Sequence, residues 1–229
     1  MRHEIRELKE EVYRANLMLY EANLVYGTQG NASGINREKG FVAIKPSGVS
    51  YKDLCISDMP VVSLDGKLLE GDLNPSVDLP HHLYLYRHIE KIGGVVHTHS
   101  SYATMFAIAE EPIPCFSTGH ADIFGEAIPV TPYVDNRGEN IGKVIEKFRK
   151  EGCPAILLGR HGVFTFSSNA EEAAKAAILV EYVAKSSFGA LILTRFLKDK
   201  KISPLPSREI EKWYNRYHGG GYGQKKNKS

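Results

Sequence analysis

Cysteine is scarce in this chain. Cys55, Cys115 and Cys153 are odd in number and far apart, so neither a disulfide framework nor a CxxC metal knuckle can be assembled from them. An excess of one charge is missing as well: 29 basic against 27 acidic side chains leave a net +2, which argues against a nucleic-acid or membrane surface. The start, MRHEIRELKEE, lacks the apolar core of a secretory signal. The one long apolar segment, 170–197, is interrupted by Glu171, Glu172, Lys175, Glu181 and Lys185 and is not expected to span a membrane. There is no repeat, low-complexity block or linker that would divide the 229 residues. A reducing, cytoplasmic protein is expected, with 1–224 as one domain and 225–229 as a disordered basic tail.

What is present is an alternation of helical and strand patterns. Ile5, Leu8, Val12, Ala15 and Leu19 recur at helical spacing. YGTQGNASG then breaks the helix and reads as turn. FVAI and MPVVSL read as strands, the second running into an Asp65-Gly66 hairpin signal. A helix is predicted from about Pro80 to Ile89, a strand at GGVVHT, and a helix after it with Ser100 as N-cap. AIPVTPY is a further strand candidate, and ENIGKVIEKFRKEG is an amphipathic helix closed by Gly152. AILL and VFTF are strands on either side of GRHG, and Asn169 caps a long last helix. Because strands come in pairs as well as between helices, the expected fold is α/β: a central mixed, mainly antiparallel β-sheet sandwiched between helices.

His97 and His99 flank Thr98 at the end of an apolar strand, where side chains two apart share a face. A random shuffle of 9 histidines in 229 residues gives about 0.35 such pairs, so the pair alone is weak. His161, bracketed by glycines in GRHG, and Asp78, at a helix start, would complete a divalent-metal shell. Taken singly, His161 reads as a loop residue and Asp78 as an ordinary helix-start residue. His81 and His82 read as helix residues, one of them a candidate to lie behind a ligand.

The turns GNASG and KPSG pair small residues with hydrogen-bond donors, and Lys45 adds a point charge. With Ser76 before a helix they would suit a phosphorylated, oxygen-rich ligand. Asp122 is either an acid/base group or the cap of a short helix, and spacing does not decide. The aromatic tail either packs Trp213 and Tyr217 on the body or delivers Tyr222 to a site.

GNASG, IKPSGV, PSVDLPHH, GGVVHTHS, HAD, GRHGVF and the terminal HGGGYGQ, in that order from about residue 5 to 224, resemble the class II aldolase/epimerase family, and within it the epimerase branch. The resemblance implies a Zn²⁺ site, or one for Mn²⁺ or another divalent ion, on Asp78, His97, His99 and His161, with no nucleotide cofactor. It implies that Gly30, Asn31, Lys45, Ser47, Gly48, Ser76, Val77 and Thr118 bind a phosphorylated pentulose. Asp122 and Tyr222 inherit the acid/base roles in a retro-aldol and re-aldol epimerisation. A homotetramer with active sites between subunits is also implied, with Tyr222 reaching in from a neighbour. The chain departs from the family pattern at Val77, where serine is usual, at Gly159 two before His161, and at Trp213, where relatives can carry histidine. The rival readings are a sugar-phosphate aldolase of the same family, which tends to carry Glu at the Asp78 position and lacks the HAD aspartate, and a non-catalytic adducin-head-like assembly domain, which loses the metal histidines.

Overall fold

Ile5, Leu8, Val12, Ala15 and Leu19 form the buried stripe of α1 (Arg2–Glu21), as their spacing predicts. The computed structural model describes residues 2–197 and 200–220; Tyr222 and the 225–229 tail lie outside them. Among the described residues, eight strands form one sheet in the order β4-β3-β2-β1-β5-β8-β7-β6. They are β1 (Asn31–Asn36), β2 (Phe41–Ile44), β3 (Val61–Ser63), β4 (Leu68–Glu70), β5 (Gly94–Thr98), β6 (Val130–Thr131), β7 (Ala155–Leu158) and β8 (Gly162–Ser167). Only β6 and β7 pair in parallel; every other neighbouring pair is antiparallel. The expected mixed sheet is therefore observed.

Helices cover both faces. α1 and the first half of α6 (Ala170–Phe196) bury Ala32, Ala43 and Val96 on one face. α2 (Leu79–His88) and α5 (Asn140–Phe148) bury Val42, Val95, Ile156 and Phe164 on the other. α3 (Ser101–Ala109) and α4 (Thr118–Phe124) close the β7–β8 end, and α7 (Ser207–His218) packs on α4. α6 is long and apolar enough by composition to cross a bilayer, yet Ala170, Ala173, Ala174, Ala177, Val180, Val183 and Ala184 are buried in the core.

One local expectation is corrected and a second is refined. NASG is not a turn but part of the central strand β1, paired with both β2 and β5. It lacks bulky residues because α1 lies directly on it: a Cβ at Gly34 would stand 3.1 Å from both Leu8 Cδ1 and Val12 Cγ2. Ser100 occupies the N-cap position of α3 without making a side-chain cap. Glu181 of α6 does that work instead, its carboxylate accepting from Tyr102 N at 2.9 Å and Ala103 N at 3.0 Å. The Asn169 cap is as expected, with Oδ1 accepting from Glu172 N at 2.8 Å.

Candidate metal and sugar-phosphate site

The ends of β1, β5 and the β7–β8 turn converge because β5 pairs with both β1 and β8. Asn31 is the register partner of His97, and His161 sits in the turn that leads into β8. Ligand nitrogens of His97, His99 and His161 lie within 4.8 Å of one another. Their ring centroids form a near-equilateral triangle of 4.7, 4.9 and 5.0 Å. His97 Nδ1 donates to Val163 O at 2.9 Å, which leaves Nε2 as its lone pair, and that atom faces His99 Nε2 at 2.9 Å. Burial holds all three imidazoles below their ordinary pKa, so they are neutral, as metal ligands must be.

Space for this cluster depends on Gly162. A Cβ there would stand 2.5 Å from Thr98 O, 2.7 Å from His99 Cδ2 and 3.2 Å from His97 Cε1. Asp78 stands at the N-cap of α2, and its Oδ2 accepts from Asn31 Nδ2 at 2.7 Å. Burial works to raise the Asp78 carboxyl, yet it lies below its ordinary value, with the Asn31 hydrogen bond among the groups that favour the charged form. Three neutral imidazoles around a position bare of side chain fit a divalent ion of the Zn²⁺ type; Asp78 lines the same cavity but is not part of that 4.8 Å group of ligand atoms. Behind them His82 Nδ1 and Tyr86 OH both lie 2.7 Å from Ser33 Oγ, a buried polar chain between α2 and β1.

All four candidate ligands open onto a cavity of about 340 Å³, also lined by Gly30, Asn31, Lys45, Ser47, Gly48, Ser76 and Val77. That volume lies within the range of small-molecule sites. The KPSG and NPSV segments are zipped together: Ser47 N donates to Asn74 O at 2.9 Å and Ser76 N to Lys45 O at 3.0 Å. Those two amides are thus occupied. The Gly48 and Val77 amides have no protein acceptor among the described residues, and with the Ser47 and Ser76 hydroxyls they put four donors in the cavity wall, of the kind that an anion binds. Val77 turns its side chain outward, 73% exposed, which leaves its backbone to serve. Lys45 is buried, and its Nζ donates to the carbonyls of Thr28, Pro46 and Val49 at 3.4, 3.3 and 2.8 Å. It brings charge to that wall from behind while tying the two turns together.

This geometry has close parallels. A family model described as the class II aldolase and adducin N-terminal domain matches residues 10–188. The chain belongs to that family. It is 40% identical to a protein named L-ribulose-5-phosphate 4-epimerase UlaF from Salmonella paratyphi C, over 96% of this chain and 100% of that one. Among solved structures it resembles an L-fuculose 1-phosphate aldolase, with a TM-score of 0.80, 29% identity, and coverage of 93% of this chain and 96% of that one. It also resembles YgbL, a putative aldolase/epimerase/decarboxylase from Escherichia coli, with a TM-score of 0.76, 26% identity, and coverage of 92% and 99%.

Within this class II aldolase domain, two of the expected residues stand apart. Thr118 and Asp122 lie on α4 and do not line the cavity; Asp122 Oδ1 is buried without a hydrogen-bond partner among the described residues. Tyr222 lies outside the described residues. Conversely, Thr28, Gln29, Pro46 and Asn136 line the cavity without being among the residues expected there. Thr28 and Gln29 adjoin the GNASG motif and Pro46 lies within KPSG, but Asn136 carries no local signal, being brought in by the loop between β6 and α5.

Proposed function

We propose that this chain is an L-ribulose-5-phosphate 4-epimerase, interconverting L-ribulose 5-phosphate and D-xylulose 5-phosphate. One observation carries the reading: a histidine triad and an anion seat share a single cavity in a chain similar over nearly its whole length to proteins so named. Asp78, His97, His99 and His161 hold a divalent ion, Zn²⁺ or in its place Mn²⁺. Bound there, such an ion acts as a Lewis acid on the ketose oxygens. The Gly48 and Val77 amides, Ser47, Ser76 and the Lys45 charge seat the phosphate, while Gly30 and Asn31 border the sugar; Thr118, on α4 outside this cavity, contacts the substrate of a neighbouring subunit.

Asp122 and Tyr222 handle the proton. One takes it from the C4 hydroxyl, which lets the C3–C4 bond break into an enediolate and glycolaldehyde phosphate. After the aldehyde turns its other face and the bond re-forms, the partner returns a proton to the inverted C4 oxygen. Since Asp122 does not line its own chain's cavity, it serves a neighbouring subunit in a homotetramer. Exposed Met105, Ile108, Ile192, Leu193 and Phe196 on α3 and α6 supply apolar surface for such contacts. The free thiols are in keeping with a reducing cytoplasm.

The likeness to a fuculose 1-phosphate aldolase favours a second reading, aldol cleavage of a ketose 1-phosphate. Asp78 and Asp122 together weigh against it, and the three retained histidines weigh against a non-catalytic role. The deciding experiment incubates metal-loaded protein with L-ribulose 5-phosphate and follows D-xylulose 5-phosphate, with and without chelator. Turnover lost on chelation and restored by Zn²⁺ or Mn²⁺ is expected. Aldehyde release from a ketose 1-phosphate with no epimerisation overturns the assignment.

A further inference from the structure

The turn from Thr28 to Gly30 is held more firmly than a surface turn needs to be. Its three successive carbonyls accept from two buried side chains: Thr28 O from Lys45 Nζ at 3.4 Å, and Gln29 O and Gly30 O from Tyr51 OH at 3.3 and 2.8 Å. Gln29 N donates back to Tyr26 O at 3.0 Å. Gly30 has a φ of +77° and no room for a side chain, since a Cβ would stand 2.7 Å from Val25 Cγ1 and 3.0 Å from His97 O. The backbone of Gln29 is therefore fixed against the metal-bearing end of β5.

Its side chain is exposed and lines the cavity, with Oε1 3.3 Å from His99 Nδ1. For His97 a backbone carbonyl fixes the tautomer; His99 depends on a side chain. A neutral imidazole carries one N–H. For His99 to offer Nε2 to a metal beside the His97 Nε2, that proton must sit on Nδ1, and Gln29 must then present its oxygen. The –NH₂ end of the same amide makes no hydrogen bond to protein among the described residues, and the side chain to which it belongs lines the cavity.

We propose that Gln29 is both a positioning residue and a substrate contact: its amide oxygen fixes the tautomer of His99, and its amide –NH₂ donates to an oxygen of the bound sugar phosphate. The second half rests on the epimerase reading; the first half does not.

Two variants of the full-length holoprotein separate the halves. Gln29→Glu keeps the acceptor and the length but removes the donor, whereas Gln29→Met keeps the length and removes both. Competition for Zn²⁺ with a chromophoric chelator reads the first half. Gln29→Met should lose about 10- to 100-fold in metal affinity, as expected for the partner of a ligating histidine, while Gln29→Glu should hold the metal at least as well as the unmodified protein. Kinetics on L-ribulose 5-phosphate read the second half: Gln29→Glu should raise KM by about tenfold with kcat little changed. Unaltered metal affinity in Gln29→Met, or an unaltered KM in Gln29→Glu, overturns the proposal. Should the unmodified protein fail to epimerise, the functional reading falls, yet the metal competition still decides the role of Gln29 toward His99.

Discussion

Asn16 of α1 and Ala32 of β1 close a two-bond ring: Asn16 Oδ1 accepts from Ala32 N at 3.0 Å, and Asn16 Nδ2 donates to Ala32 O at 3.3 Å. Asn16 is fully buried among apolar residues, and the residue just before Ala32 on the strand is Asn31, which donates to Asp78. Asn16→Leu strands the Ala32 amide without its acceptor. It should destabilise the protein by about 2 kcal/mol, lowering Tm by about 4–8 °C in a thermal scan of the metal-free form.

Removing one metal ligand should act on chemistry rather than folding. His99→Ala and His161→Ala should purify without bound metal, as elemental analysis would show, and kcat should fall about 10³-fold, the equivalent of about 4 kcal/mol of lost Lewis-acid assistance. Gly162→Ala should do the same without deleting a ligand, because its methyl group would displace both His97 and His99. A Gly162→Ala protein that retains stoichiometric metal would contradict the packing described above.

Lys45 gives a pH dependence of definite sign. Burial lowers its pKa from 10.5 to about 8. Between those values the unfolded chain binds a proton that the native state has released, so stability rises with pH across that window. On the proposed reading phosphate binding runs the other way, since the Lys45 charge behind the anion seat is lost above about 8. KM for the phosphorylated substrate, measured from pH 7 to 9.5, should rise beyond pH 8 while urea resistance does not fall.

Glu181 should behave as a cap supplied from a distance. Glu181→Ala leaves Tyr102 N and Ala103 N without their acceptor and should cost about 0.5–2 kcal/mol in urea unfolding. Glu181→Gln, which keeps one acceptor oxygen, should cost less.

The residues proposed to hold the metal were legible because each lies beside a boundary that periodicity marks: His97 and His99 at a strand end, His161 between two strands, Asp78 at a helix start. The strand β1 was not legible. Its residues NASGIN show no hydrophobic alternation, because small residues admit α1 on one face and Ser33 meets His82 and Tyr86 on the other. Ser100 does stand at the N-cap position of α3, but the group that bonds the first amides of that helix lies about 80 residues further on. Asn136 reaches the cavity through loop closure alone, which leaves no trace in local sequence. The same holds for the bond from Asn31 to Asp78, 47 residues apart.

On the proposed reading, the placement of Asp122 outside the cavity of its own chain makes turnover depend on the abundance of the protein itself. A solitary subunit would carry a loaded metal and a seated phosphate with no one to take the proton. Dilution should then silence turnover cooperatively while the metal stays bound. A mixture of two dead proteins, Asp122→Asn and His97→Ala, should regain part of the lost rate once their subunits exchange, because some pairings unite an intact cavity with an intact carboxylate.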